Sequence, residues 1–237
     1  MKKRVRAALL VACTPFAFDS TRASADAWHG TVGVSSQLVG LGVAMAGRGP
    51  VIQANETRVS TSGWSVGASG SYQAGRPRHA LEAILQAGKA WALSDRWDMQ
   101  AAVAHYRYPT SDRMSRTLDQ TQMGATAIYR DVFSLSLWSV SLAHGSPRPH
   151  AEVDAAFHWP LTAYLSLDTA VGEAQYLAPR HWYANNQRPR WFAYGHVGLD
   201  WNRMAWHVAV QRIASNFHRP LHDYRVAPWV ATVSRDF

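Results

Sequence analysis

The stretch WVATVSRDF (residues 229–237) decides the fold, because its side chains alternate in character. One parity holds Trp229, Ala231, Val233 and Phe237, and the other holds Val230, Thr232, Ser234 and Asp236. Successive side chains of a β-strand point to opposite faces, so the stretch is predicted to be a strand with one apolar face. A chain that ends inside such a strand is expected to close a barrel, in which the last strand pairs with the first.

The same period of two recurs along the chain, and helical periodicity is nearly absent. The polar face of each strand is rich in Ser, Gly, Thr, Gln and His, which is more typical of a barrel interior than of a solvated surface. Twelve strands are predicted, near residues 28–40, 51–60, 63–74, 80–92, 96–107, 120–130, 132–143, 150–158, 161–173, 190–200, 203–214 and 225–237. The fourth carries Lys89 on the parity of Leu81 and Leu85, an irregularity compatible with a β-bulge.

The connections between these strands alternate in length. Tight connections are predicted at 61–63, 93–95, 131, 159–160 and 201–202, and longer ones at 41–50, 73–79, 108–119, 145–149, 173–189 and 214–224. Short turns at one end and long loops at the other are the layout of a membrane barrel. The sequence therefore predicts an all-β chain that forms a single antiparallel transmembrane β-barrel of about twelve strands, with short periplasmic turns and longer extracellular loops.

Aromatic residues cluster near the predicted strand ends. Their amphipathic rings favour a membrane interface, so they predict an aromatic girdle rather than a buried core. They are Trp28, Trp64, Trp91, Trp97, Tyr129, Trp159, Trp191, Trp201, Trp206 and Trp229. The alternative is an exported β protein outside the membrane, whose two sheets would have to cover each other's apolar faces. Heat-modifiable migration on a gel, typical of barrels, would separate the two.

Residues 1–25 have the features of a secretory signal peptide. Lys2, Lys3 and Arg4 precede a short apolar run, and an Ala-x-Ala site follows at residues 23–25. Residues 26–237 are then expected to form the barrel domain, exported to the bacterial outer membrane after cleavage near Ala25. A cytosolic N-terminal helix is disfavoured by Pro15. Lipidation at Cys13 is disfavoured because the apolar run before it is short.

After cleavage the chain would keep 19 basic and 15 acidic residues and no cysteine. This mild excess of positive charge does not indicate a nucleic-acid partner. The arginines are also scattered over loops rather than gathered on one face with stacking aromatics, so no nucleic-acid binding is predicted.

Residues 28–109 resemble the opening block of the TorF-like family of outer-membrane proteins. The matching features are Ser35 and Ser36 in the first strand, Gly40 and Gly42 in a glycine loop, Pro50 before Gln53, Gly63-Trp64 in a hairpin, and YRYP at 106–109. The chain lacks the Asp-Tyr and Arg-Gly usual in the family's first strand and reads SSQLVGLG there. The resemblance implies a porin-like barrel in the outer membrane and carries no catalytic motif.

The terminal Phe237 resembles the C-terminal signature of bacterial outer-membrane proteins, which the barrel-assembly machinery reads. Arg235 departs from that signature, because an apolar or aromatic residue is more usual at its position. The resemblance implies that the assembly machinery is a partner of this chain.

The inward parity of strands eight to eleven collects polar and charged residues: Glu152, Asp154, His158, Asp168, His196, Asp200, His207 and Gln211. They are expected to form a polar stripe on one wall of the lumen. Such a stripe either steers small charged solutes through a constriction or fills the lumen as a self-satisfied network. The predicted function is a narrow porin for small polar or charged solutes. The alternative is a filled barrel with a structural or surface-interaction role through its loops.

The predicted extracellular loops carry nine arginines: Arg48, Arg76, Arg78, Arg113, Arg116, Arg148, Arg180, Arg188 and Arg219. Arginine suits bidentate contacts to phosphate, so these residues are expected to meet phosphorylated glycolipid or to attract anionic solutes. Ordinary solvated loop charge is the open alternative. The expected partners are outer-membrane lipid and glycolipid, the assembly machinery and small solutes.

A lipid-acting outer-membrane enzyme is the less favoured alternative. It would need a nucleophilic hydroxyl beside a histidine at the outer rim, for which the candidate histidines are His105, His144, His150 and His181. No nucleophile segment is recognisable, so neither an enzyme nor a cofactor is predicted. His218 and His222 have a metal-ligand spacing only on a helix, and Pro220 argues for a loop, so no metal site is predicted.

Overall fold

The computed structural model describes residues 26–45, 49–74, 79–109, 119–143, 149–175, 177, 191–217 and 226–237. Its strands are β1 (Ala27–Ser35), β2 (Val39–Gly40), β3 (Val43–Ala44), β4 (Val51–Val59), β5 (Trp64–Gln73), β6 (His79–Ala92), β7 (Trp97–Arg107), β8 (Gln120–Tyr129), β9 (Phe133–Leu142), β10 (His150–Pro160), β11 (Leu165–Gln175), β12 (Trp191–Arg203), β13 (Trp206–Ser215) and β14 (Trp229–Asp236). No helix within these ranges is long and apolar enough to span a bilayer.

Twelve of the strands form one closed antiparallel barrel, and β2 and β3 form a separate two-stranded hairpin. Each barrel strand pairs with its neighbours in sequence, and β14 pairs with β1 in the register Thr31↔Asp236 to Ser35↔Thr232. The predicted all-β, twelve-stranded antiparallel barrel closed by the C-terminal strand is therefore confirmed.

The two ends of the barrel differ. At one, named here the turn end, the barrel strands are joined by the short connections 60–63, 93–96, 130–132, 161–164 and 204–205. At the other, the loop end, they are joined by 36–50, 74–78, 108–119, 143–149, 176–190 and 216–228. Phe237 and the start of β1 lie together at the turn end, because Gly30 N donates to Phe237 O at 3.2 Å.

Two predicted turns are displaced along the chain. The turn expected at 159–160 lies at 161–164, where the Leu161 and Thr162 amides both donate to Leu165 O at 2.9 Å. The turn expected at 201–202 lies at 204–205, where Met204 takes the positive φ of 56° that a two-residue hairpin requires. Pro160 and Asn202 are turn-forming residue types, but Pro160 is the last residue of β10 and Asn202 lies inside β12.

The outer face of the barrel is apolar and carries most of the predicted girdle. Nine of the ten predicted aromatics are tryptophans, and their exposed fractions run from 37% (Trp201) to 63% (Trp28). Trp138, which was not assigned to the girdle, faces the interior and is 4% exposed. At the turn end five basic side chains lie over outer aromatic rings, in the pairs Arg58–Trp28, Lys89–Trp64, Arg130–Tyr129, Arg203–Tyr164 and Arg235–Trp206.

The irregularity in the fourth predicted strand is a β-bulge at Leu81. Ser71 pairs with Glu82 and Tyr72 with Ala80, so Leu81 is the extra residue. The bulge turns the Leu81 side chain inward, where it is 8% exposed, while Leu85 stays on the outer face at 65%. Lys89 keeps the parity of Leu85, and its Nζ lies 4.9 Å from the centre of the outer Trp64 ring.

Candidate functional site

The first long loop folds into the mouth of the barrel instead of extending the first strand. The sequence predicted a strand over 28–40, but β1 ends at Ser35. Residues 38–45 (LVGLGVAM) carry no polar side chain, and the positive φ values of Leu41 (50°) and Gly42 (68°) turn them back as the hairpin β2–β3. Residues 36–45 are named here the mouth hairpin. Its apolar side chains leave water by packing inside the barrel rather than by joining the wall.

On one side the mouth hairpin packs against β4, β6 and β7. Leu38 forms a buried cluster with Val51 and with Leu81, the bulged residue of β6. Met45 packs against this cluster and also against the neighbouring one that contains Tyr106. The β6 bulge thus supplies an inward apolar contact where strict alternation would have pointed Leu81 at lipid.

On the other side the mouth hairpin reaches β11 to β14. Val39 forms a buried cluster with Ile213 and a residue of β14, and Val43 packs against the cluster of Tyr194. Gly42 lies so close to the wall that a Cβ there would be 2.7 Å from the Tyr194 Cβ. Since β7 and β12 lie nearly opposite each other around the barrel, the mouth hairpin bridges the loop end.

Polar bonds hold the mouth hairpin at the barrel seam. The Ser36 amide donates to Ala231 O at 2.9 Å, and the Ala231 amide donates to the Ser36 hydroxyl at 3.1 Å. Gln37 is 2% exposed, and its Oε1 accepts from the Ala227 amide at 2.7 Å. The Ser36, Gly40 and Gly42 positions of the TorF-like resemblance therefore belong to this hairpin and not to a continuous strand.

The eight residues predicted to line the lumen all lie on the inward parity of their strands. Glu152, Asp154, Asp168, His196, Asp200 and Gln211 are between 1% and 8% exposed, and His158 and His207 are partly buried. Register spreads them over the height of the barrel. Hydrogen bonds and short distances divide the ionisable ones into three groups.

The first group lies beneath the mouth hairpin. The Tyr194 hydroxyl donates to Glu152 Oε1 at 3.4 Å. Gly172 makes room for this contact, because a Cβ there would be 2.5 Å from the Tyr194 Cζ and 2.9 Å from the Asp154 Cβ. The Tyr194 ring therefore lies over Gly172, beside both carboxylates of β10.

The second group lies lower, toward the turn end. His196 Nε2 is 2.9 Å from Asp168 Oδ2, and the two side chains are 3% and 1% exposed. One ligand atom each of His158, Asp168 and Asp200 lie within 4.8 Å of one another. The register explains this meeting, because His158 pairs with Asp168 and Ser166 pairs with Asp200.

The third group closes the seam at the turn end. His207 contacts Asn202 through Nδ1 and Asp236 through Nε2. The Thr31 hydroxyl donates to the other Asp236 oxygen, Oδ1, at 2.9 Å. This network joins β12, β13, β14 and β1. Of its four members only His207 was a predicted site residue, although the polar parity of the last strand already contained Asp236.

The charge of the described interior is acidic. Every described lysine or arginine lies on the outer face or in a turn: Arg58, Lys89, Arg96, Arg107, Arg130, Arg203, Arg212 and Arg235. The buried inward charges are carboxylates accompanied by histidines. The nine loop arginines on which the expected attraction of anions rests all fall outside the described residues.

Of the histidines proposed for a lipid-acting site, His105 and His150 are described, while His144 and His181 fall outside the described residues, as do His218 and His222. His105 lies on the outer face of β7, and its Nδ1 is 3.1 Å from the hydroxyl of Thr121, a threonine rather than a serine. His150 is 8% exposed and faces the interior, away from lipid.

The architecture matches solved outer-membrane porins. KdgM porin aligns with a TM-score of 0.52 at 7% identity, over 88% of this chain and 98% of that chain. KdgM porin in complex with disordered oligogalacturonate aligns with a TM-score of 0.53 at 7% identity, over 89% and 98%. The chain has the fold of an outer-membrane porin barrel. At this identity the likeness concerns the fold alone.

A third structure, from work on the in-meso crystallization of membrane proteins, aligns with a TM-score of 0.52 at 11% identity, over 88% of this chain and 83% of that one. No protein-family model matches the chain, and no curated protein matches it.

Proposed function

We propose that the protein is an exported outer-membrane barrel, related to the TorF-like family, that acts as a narrow porin for small polar or charged solutes. One observation carries this proposal: a closed barrel with an apolar outer face encloses polar and ionisable side chains. A wall of this kind replaces part of the hydration of a small solute, which a purely apolar interior cannot do. We assign the described interior groups to the binding and passage of solutes.

The mouth hairpin supports a narrow pore. It packs against walls that lie on opposite sides of the loop end, so the free cross-section there is smaller than that of the bare barrel. Trp138 and Tyr106 also face inward, at 4% and 6% exposure. Solutes are therefore limited to small ions and small polar molecules, and displacement of the hairpin widens the path.

The described interior favours cations over anions. Inward carboxylates attract cations and repel anions, and the weak screening inside a narrow lumen strengthens both effects. Solute selection by the interior would then oppose the attraction of anions by the loop arginines. Those arginines are assigned instead to contacts with phosphorylated glycolipid at the extracellular surface.

The test is single-channel conductance of refolded residues 26–237 in a planar bilayer, in salts whose cations and anions differ in size. A second variant carries a short Gly-Ser linker in place of residues 37–49. The wild-type barrel is expected to show small, cation-preferring steps, and the linker variant is expected to show larger ones. Heat-modifiable gel migration establishes that both have folded. A folded linker variant that inserts but conducts nothing overturns the porin proposal.

A filled barrel that acts through its loops is the second candidate. The packing of the mouth hairpin against two walls, together with inward Trp138, favours it. The same experiment separates the candidates, because removal of residues 37–49 does not create conductance in a barrel that is filled below the hairpin as well.

A further inference from the structure

We propose that His158, Asp168 and Asp200 form a binding site for a divalent transition-metal cation of the Zn²⁺ class inside the barrel. Their ligand atoms, one imidazole nitrogen and two carboxylate oxygens, lie within 4.8 Å of one another. Three atoms bonded to one cation at distances near 2 Å are separated by about 3 to 4 Å, so small rotamer changes close the site. The proposed porin function does not assign this site.

Two carboxylate oxygens of the cluster have no hydrogen-bond partner within the part of the chain that the structure describes. They are Asp168 Oδ1 and Asp200 Oδ2, and their residues are 1% and 6% exposed. A buried carboxylate oxygen without a partner costs free energy, because it has lost its water and gained nothing in exchange. A bound cation is a partner that satisfies both oxygens at once.

The charges of the cluster also favour a cation. Two carboxylates held this close in a barrel interior repel each other, and no described lysine or arginine faces inward to compensate them. His196 contacts Asp168 through Nε2 at 2.9 Å and can balance at most one of the two charges. A divalent cation balances both carboxylates when His196 is neutral.

The ligand types select the class of metal. Mixed nitrogen and carboxylate ligands suit Zn²⁺ and its first-row neighbours, whereas Ca²⁺ and Mg²⁺ prefer more numerous oxygen ligands. Three protein ligands leave further positions for water. His158, near the turn end of β10, is only partly buried, which leaves one ligand of the site accessible. His196, which contacts a ligand and not the cation, orients Asp168.

The experiment measures binding of ZnCl₂ to refolded residues 26–237 in detergent, by isothermal titration and by metal analysis after gel filtration. Asp200→Asn removes a ligand and is expected to abolish the binding of one Zn²⁺ ion per chain. His158→Gln, at a partly exposed position, gives the same loss should Asp200→Asn not fold. Asp154→Asn is the matched control, because it removes a buried carboxylate of the same wall outside the cluster and keeps wild-type binding.

Equal Zn²⁺ stoichiometry in the wild type and in a folded Asp200→Asn or His158→Gln variant overturns the proposal, because the Zn²⁺ then binds elsewhere. A wild-type barrel that binds no Zn²⁺ also overturns it. A tenfold excess of Mg²⁺ over Zn²⁺ is expected to displace little of the bound metal, and displacement by Mg²⁺ contradicts the metal class. These readouts do not depend on conductance. A linker variant that stays silent, together with a wild-type barrel that binds one Zn²⁺, therefore refutes the porin and supports the metal site. A conducting barrel that binds no Zn²⁺ does the reverse.

Discussion

The ring of Phe237 lies across Gly30, so the last residue of the chain fills the space in which a side chain at position 30 would begin. A Cβ at Gly30 would be 2.3 Å from the Phe237 Cε2. The backbones of the same two residues exchange hydrogen bonds of 3.2 Å and 3.0 Å. At the turn end the first and last strands thus pack closely, because the aromatic ring of one occupies the space left by the glycine of the other.

Gly30→Ala is expected to lower the free energy of unfolding by about 1 kcal/mol, because the ring must move to admit the methyl group. In a Phe237→Ala background the same change is expected to cost almost nothing. Urea unfolding of the wild type, the two single variants and the double variant in lipid vesicles gives the double-mutant cycle. Equal costs in both backgrounds would show that the ring does not occupy the space beside Gly30.

Asp236→Ala is expected to destabilise the barrel by about 1–3 kcal/mol, because it removes the shared acceptor of His207 and Thr31 at the seam. Asp26→Ala is the matched control. Asp26 pairs with Arg58 at 3.2 Å, but both side chains are 51% exposed, so this pair contributes little. The measurement is the midpoint of urea unfolding, and equal midpoints for the two variants would contradict a structural role of the seam network.

Gly42→Ala is expected to loosen the mouth hairpin and to increase single-channel conductance. The φ of Gly42 is 68°, and its Cβ would be 2.7 Å from the Tyr194 Cβ, so the methyl group has no room. Gly40→Ala is the control, since a Cβ at Gly40 first meets Met45 at 3.6 Å, an ordinary contact. Conductance that rises equally in both variants would argue against the packing described for the hairpin.

The double variant Glu152→Gln, Asp154→Asn is expected to reduce the ratio of cation to anion permeability toward one. It removes two inward carboxylates beneath the mouth hairpin and keeps the side-chain sizes nearly unchanged. Glu173→Gln on the neighbouring strand is the control, because Glu173 is exposed on the outer face. Reversal potentials in a salt gradient give the ratio, and an unchanged ratio in the double variant would remove the interior carboxylates from ion selection.

Much of the barrel wall was predictable from sequence because a period of two has one structural cause. The parity of residues 229–237 gave the buried and exposed sides of β14 correctly, from buried Val230 to exposed Val233. The mouth hairpin was missed because residues 36–40 were included in the first strand, although alternation breaks at the polar Ser35-Ser36 and at the apolar Leu38-Val39. Such a break marks the end of a wall strand but does not show where the chain goes next. Contacts such as Leu38 with Leu81, far apart in sequence, make that choice.

The grouping of the interior residues was hidden for a related reason. Parity assigns His158, Asp168 and Asp200 to one face, but the height of each residue follows from strand register. Register depends on where the turns fall, and the turns before Leu165 and Trp206 were predicted several residues too early. A displaced turn changes which side chains lie opposite each other, so the sequence could place these residues on one wall but could not predict which of them lie close together.

The interior differs from one end to the other. Apolar contacts of the mouth hairpin fill the loop end, and the cluster of His158, Asp168 and Asp200 lies toward the turn end. A cation driven from the turn end is concentrated by the carboxylates before it meets the obstruction, whereas one driven from the loop end meets the obstruction first. If the barrel conducts as proposed, the currents under opposite voltages of equal size are expected to be unequal, so that the barrel acts as a molecular rectifier.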